Sequence, residues 1–161
     1  MVLLATCAAA QPLRPLAGQD QTATSAPGDN LYALARPRRL ALEHLAFANR
    51  LPVSLEPLKA GTTLVVPGRR ILPGSPPADG LVLNLPERGV FLFRDGAFQG
   101  FYPVAIGMPG WNTPVGDFKI AVRTVNPTWD PPGWAGGGPP VPPGPANPLG
   151  DRWMGLGYRG Y

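Results

Sequence analysis

Proline and glycine set the limits: 23 of the 161 residues are proline and 21 are glycine. Proline withdraws a backbone donor and clashes with the preceding turn, so long helices cannot persist at this density. Short strands joined by turns can, and the fold class that follows is mainly β with antiparallel sheets. Hydrophobic residues make up 44% of the chain, enough to bury a core. The length suits one ordinary domain, or a small module followed by most of a second.

Charge narrows the choice of partner. Charged residues are 15% of the chain and the net charge is +4, without the dense Lys/Arg stripes that neutralise a phosphate backbone, so no nucleic-acid partner is expected. Arg36, Arg38 and Arg39, with the pair Arg69 and Arg70, read as solvated surface. One cysteine, Cys7, and one histidine, His44, leave no intrachain disulfide and no cysteine-based zinc site. No metal and no cofactor is expected. His44, between Glu43 and Leu45 with no second histidine at metal spacing, reads as a surface or half-buried side chain.

Residues 1–10 (MVLLATCAAA) are too short to span a bilayer but match the apolar part of a secretory signal. Leu4-Ala5-Thr6-Cys7 resembles a lipoprotein signal, which makes Cys7 a candidate for lipidation and the one expected route to a membrane. Ala8 to Ala10 instead offer small residues for ordinary cleavage, which would remove Cys7. A disordered apolar N-terminus is the third reading. Export to a bacterial periplasm or cell envelope is the expectation. Gln11 to Pro27 mixes Pro, Gly, Ser, Thr and Gln without periodicity and reads as a flexible linker.

Periodicity then appears. In Asp29–Arg36, Asp29 or Asn30 can cap a short helix with Leu31, Leu34 and Ala35 on one face, and Pro37 should stop it. Leu40–Asn49 places Leu42, Leu45, Ala46 and Asn49 at the spacing of a second helix. Thr62–Pro67 is β-branched and reads as a strand. Gly28-Asp29-Asn30-Leu31-Tyr32, Leu34-Ala35, Leu45, Asn49, Ala60-Gly61-Thr62 and Leu64-Val65-Val66-Pro67 together resemble a LysM module over residues 26–68. That resemblance implies a small α+β unit binding the glycan strand of peptidoglycan in a groove. Asp29, Asn30 and Leu31 would line one side of it and the loop carrying Lys59 and Gly61 the other.

From Gly80 the period is two. Leu81, Leu83 and Leu85 point one way and Val82 and Asn84 the other, while Val90–Phe93 is a buried-strand run. Asp95-Gly96 predicts a tight hairpin, Phe98–Ile106 the returning strand, and Phe118–Val122 a further strand. The Pro/Gly-rich stretch from Pro127 to Gly150 reads as a rigid loop across one face of the sheet, with Trp129, Trp134 and Trp153 arguing against disorder.

Within residues 80–161, several fragments fall in a fixed order: Leu83-Asn84-Leu85-Pro86-Glu87-Arg88, Tyr102-Pro103-Val104, Thr113-Pro114 with Gly116 and Phe118, Asn126-Pro127-Thr128-Trp129, and Asn147-Pro148-Leu149-Gly150. This order resembles the N-terminal part of the catalytic domain of L,D-transpeptidases of the YkuD family. The resemblance implies a cysteine acyl transfer on peptidoglycan, in cross-linking or lipoprotein attachment, with the stem peptide held near Trp111, Thr113 and Trp129. That chemistry requires a thiol activated by histidine and backbone donors for the oxyanion. In the family these come from a His-Gly and a Ser-His-Gly-Cys segment beyond the Asn-Pro-Leu-Gly region, and neither segment is present in the 161 residues. The expectation is therefore a truncated L,D-transpeptidase with an incomplete catalytic sheet, no catalytic residue of its own, and no activity as it stands. The alternative is a non-enzymatic peptidoglycan-binding protein acting through the LysM-like module.

Overall fold

Apolar side chains at three-and-four spacing build the first core. The structure, a computed structural model, describes residues 15–158. Helix α1 spans Leu31–Ala35 and α2 spans Leu42–Ala48. Strands β2 (Gln21–Thr24) and β3 (Thr63–Val66) pair antiparallel beside them, giving the order β2-α1-α2-β3. Leu31, Leu34, Ala35, Leu45 and Ala46 pack onto Ala23, Leu64 and Val66 of the two strands. Asn30 is the residue that caps α1, its Oδ1 accepting the Ala33 N–H at 2.8 Å. Pro37 does not end the helical path, since Arg36–Arg38 continues it as a 3-10 turn until Arg39 turns left-handed at φ 54°. Asn49 fastens α2 to β3: its amide donates to the Leu45 and Val65 carbonyls and its Oδ1 accepts the Val65 N–H.

The linker expected over residues 11–27 is corrected for its described part. Leu16–Ala17 forms β1, paired with β4 (Arg70–Ile71), and Gln21–Thr24 is β2. The two backbones cross so closely that a Cβ on Gly18 would collide with the Gly68 carbonyl, and one on Gly68 with the Gln19 carbonyl. Asp20 locks the crossing, accepting the Gly68 and Arg69 N–H groups and the Arg69 guanidinium at 2.7 Å. Composition hid these strands because their partners lie far along the chain.

Strands β5 (Gly80–Asn84), β6 (Gly89–Arg94) and β7 (Ala97–Pro103) form an antiparallel meander. Asp95 and Gly96 both have positive φ, 50° and 72°, as the two-residue turn between β6 and β7 demands. Phe91 and Phe93 are buried on the face that carries Val82 and Phe101. Leu81 and Leu83 share the opposite, more open face, 44% and 42% exposed, and Leu85 lies in the turn after β5 rather than on either face. The returning strand stops at Pro103, short of Ile106.

The chain divides into two compact units, Met1–Asn112 and Thr113–Tyr161, so the break falls within the stretch read as one domain. In the second unit the strand expected over Phe118–Val122 does not form. β8 is Val122–Val125, paired with β9 (Arg152–Gly155), while the Phe118 ring packs edge-on to Tyr158 at 5.4 Å. Between the strands, residues 126–151 close on themselves through a bridge from Trp129 to Val141. Among the described residues no helix is long and apolar enough to cross a membrane.

Candidate functional site

The two loops at one end of the β2-α1-α2-β3 unit form a continuous rim, held by buried Ser25. Its Oγ donates to the Lys59 carbonyl at 2.8 Å and accepts the Thr62 N–H, and its carbonyl accepts the Gly61 N–H at 2.9 Å. The Leu58 N–H donates to the Asp29 carbonyl at 2.7 Å and Asn30 Nδ2 to the Leu55 carbonyl at 3.0 Å. The structure thus joins the segments carrying Asp29 and Asn30 to those carrying Lys59 and Gly61.

Their roles differ from the expectation. Asn30 spends both ends of its amide on the cap and the loop tie, and Asp29 Oδ2 accepts the Ala26 N–H. Leu31 is corrected as a groove-lining side chain: at 2% exposure it belongs to the core and offers the rim only backbone. Lys59 and Gly61 are exposed, with Gly61 at φ 81°, a conformation glycine adopts without strain. Leu55, 64% exposed, adds apolar surface to the same loop. Ser25 escaped notice in the sequence because nothing local marks a serine whose partners lie in another loop.

In the second unit the organising residue is Asn147, 5% exposed. Its amide donates to the carbonyls of Pro127 (2.8 Å), Val141 and Pro142, and its Oδ1 accepts the Leu149 N–H at 2.9 Å. One side chain therefore gathers the start, middle and end of the proline-rich loop. Trp129 is half-buried on that loop and exchanges both backbone hydrogen bonds with Val141, at 3.0 and 2.8 Å, whereas Trp134 stands 66% exposed. Thr113 opens this unit, while Trp111 belongs to the first, its N–H donating to the Met108 carbonyl. The motif Asn147-Pro148-Leu149-Gly150 was visible in the sequence, but its role as a hub was not.

His44 packs against Phe101, ring centroids 6.1 Å apart. Burial, and then the Arg70 charge, push its imidazole below the ordinary value, with Glu43 and Glu87 pulling the other way. Among the described residues no group of three or more His, Cys, Asp or Glu side chains could hold a metal. The lipidation candidate Cys7 lies outside the described residues.

Arg36, Arg38, Arg39 and Arg69 are exposed, as expected of surface side chains, and Arg70 is half-buried. Arg38 donates to the Leu34 carbonyl, Arg39 lies 5.5 Å from the Tyr102 ring centroid and Arg70 4.6 Å from that of Phe101.

The family model of the YkuD L,D-transpeptidase catalytic domain matches residues 78–161. A Bacillus subtilis (strain 168) protein named "Putative L,D-transpeptidase YqjB" is 32% identical over 93 residues, which cover 58% of this chain and 48% of that protein. The chain spans about half the length of the curated relative it matches.

Proposed function

The chain belongs to the YkuD family of L,D-transpeptidase catalytic domains, which are acyltransferases, and from that membership we propose that residues 78–161 supply a scaffold for recognising peptidoglycan stem peptides outside the cytoplasmic membrane. The observation that carries the reading is the family match across β5 to β9 together with the proline-rich loop that Asn147 holds in one shape. A fixed loop bearing a half-buried tryptophan suits an extended peptide, because little ordering entropy remains to be lost on binding.

Acyl transfer needs a thiolate, a histidine within reach of it and donors for the oxyanion. The one histidine of these 161 residues, His44, is committed to α2 and the Phe101 ring, and the one cysteine is Cys7 in the signal-like segment. The 161-residue chain therefore binds stem peptide without cleaving it, and cross-linking or lipoprotein attachment belongs to whatever supplies the thiol. Incubation with a tetrapeptide stem, following both amide shifts of Thr113 and Trp129 and release of the terminal D-alanine, tests this. Shifts without release are expected. Release that disappears in Cys7→Ala would refute the inactive reading, and unchanged shifts would refute the peptide site.

A second reading, glycan binding by a LysM-like module over residues 26–68, is favoured by one further observation. Two helices flanked by an antiparallel strand pair carry, at one end, two loops tied into a single rim. Under this reading Lys59→Glu and Leu55→Glu lower retention on peptidoglycan while leaving the fold intact. Unaltered retention in the double variant would remove the glycan role from this rim.

A further inference from the structure

Two buried side-chain atoms among the described residues lack a hydrogen-bond partner, His44 Nδ1 and Glu87 Oε2. Both residues line one cavity of about 270 Å³, completed by Arg69, Arg70, Ile71 and Phe101. A buried polar atom without a partner is costly, and both atoms belong to side chains that line this space.

The walls are positioned independently. His44 is carried by α2 and Arg70 by β4. Glu87 sits in the turn between β5 and β6, where its N–H donates to Asn84 Oδ1 at 3.3 Å. Phe101 takes the room left by Gly89, since any Cβ there would overlap its ring. Arg69 is engaged by Asp20. Arg70 donates to the Arg69 carbonyl and lies over the Phe101 ring, yet makes no ion pair among the described residues.

We propose that this cavity binds a small zwitterion, a free α-amino acid, with its ammonium on the Glu87 carboxylate and its carboxylate resting on Arg70. Charge selects this class. With Arg69 and Asp20 paired, the cavity presents one cation and one anion, so a neutral but dipolar ligand satisfies both. A lone anion leaves Glu87 orphaned, and a lone cation meets Arg70. The volume lies just under the roughly 300–1,000 Å³ of drug-sized sites, which suits a ligand of a few heavy atoms.

The test is an amide-shift titration of the 161-residue chain with glycine, L-alanine and D-alanine, then with N-acetylglycine and glycinamide, which lack the ammonium and the carboxylate respectively. Saturable shifts around Arg70 and Glu87 are expected with dissociation constants in the millimolar range, weakened about tenfold or more when either charge of the ligand is removed. Arg70→Met and Glu87→Gln should each weaken glycine to a similar degree with amide dispersion retained. Should a variant fail to fold, the ligand panel on the unaltered chain still decides. Absence of saturation up to the solubility of glycine, as for a cavity filled by water alone, overturns the proposal, and so does equal binding of all five compounds.

Discussion

The β2-α1-α2-β3 part of the first unit and the loop of the second unit solve the same problem by opposite means. In the former, eight apolar side chains from two helices and two strands close a core. In the latter, the described residues that are buried are Pro127 and Asn147, and a single amide holds the loop by four hydrogen bonds. Where proline and glycine forbid regular ladders, carbonyls still need donors, and a buried asparagine supplies two N–H groups at one point. An apolar core tolerates modest change anywhere along its surface, whereas a hub fails at one residue.

The largest expected effect tests the apolar side of that contrast. Leu45, fully buried in α2, should cost about 2–5 kcal/mol as Leu45→Ala, read from urea unfolding of the first unit. A loss below about 1 kcal/mol would mean that the helices are not held by this core. Next comes the hub. Asn147→Ala takes the amide donor from the Pro127 and Pro142 carbonyls, leaving Val141 only its Trp129 bond, and should cost about 1–3 kcal/mol, seen as faster amide exchange across residues 126–151. Asn147→Asp sharpens the point, because it keeps the acceptor for Leu149 and removes the donors. If it behaves like the native chain, the donors are not what matters. Asn30→Ala, which loses the α1 cap and the tie to Leu55, should cost about 1 kcal/mol, and preserved protection of the Ala33 amide would contradict that.

The smallest effects are electrostatic, and their signs differ in pH range rather than direction. The Arg69 side chain and the Gly68 and Arg69 amides hold Asp20 well below its ordinary 3.8, at about 2. The unfolded chain takes up that proton first, so the Asp20 contribution is complete above 3.8 and is lost as pH falls toward 2. Asp20→Asn should flatten the acid limb of the stability curve. His44 titrates below its ordinary 6.5 in the folded chain, so stability is full above that value and falls as pH drops through it. His44→Gln should remove this milder slope, and a slope unchanged in the variant would assign it to another group.

The sequence showed what is local. Leu31, Leu34 and Ala35 sit at helical spacing, Leu45 and Ala46 likewise, and Asp95-Gly96 names its own turn, so these elements could be read directly. Strand β2 could not, because Gln21–Thr24 is polar apart from Ala23 and is a strand only by virtue of its partner Thr63–Val66. Phe118–Val122 alternates like a strand, yet the Phe118 ring packs edge-on to Tyr158 and pairing begins at Val122. At the rim, Lys59 and Gly61 are exposed, while Leu31 is core. Ser25 and Asn147 were illegible as organisers for one reason: their partners are backbone carbonyls and amides, which no side-chain pattern encodes.

The central claim is that this scaffold is directed at peptidoglycan. Sedimentation with purified peptidoglycan sacculi at roughly 0.15 M salt, where long-range charge attraction is largely screened, addresses it most directly. The account predicts that the 161-residue chain pellets with the sacculi and is released by soluble stem peptide or glycan fragments. A chain that stays in the supernatant, or pellets and is released only by salt, would contradict it.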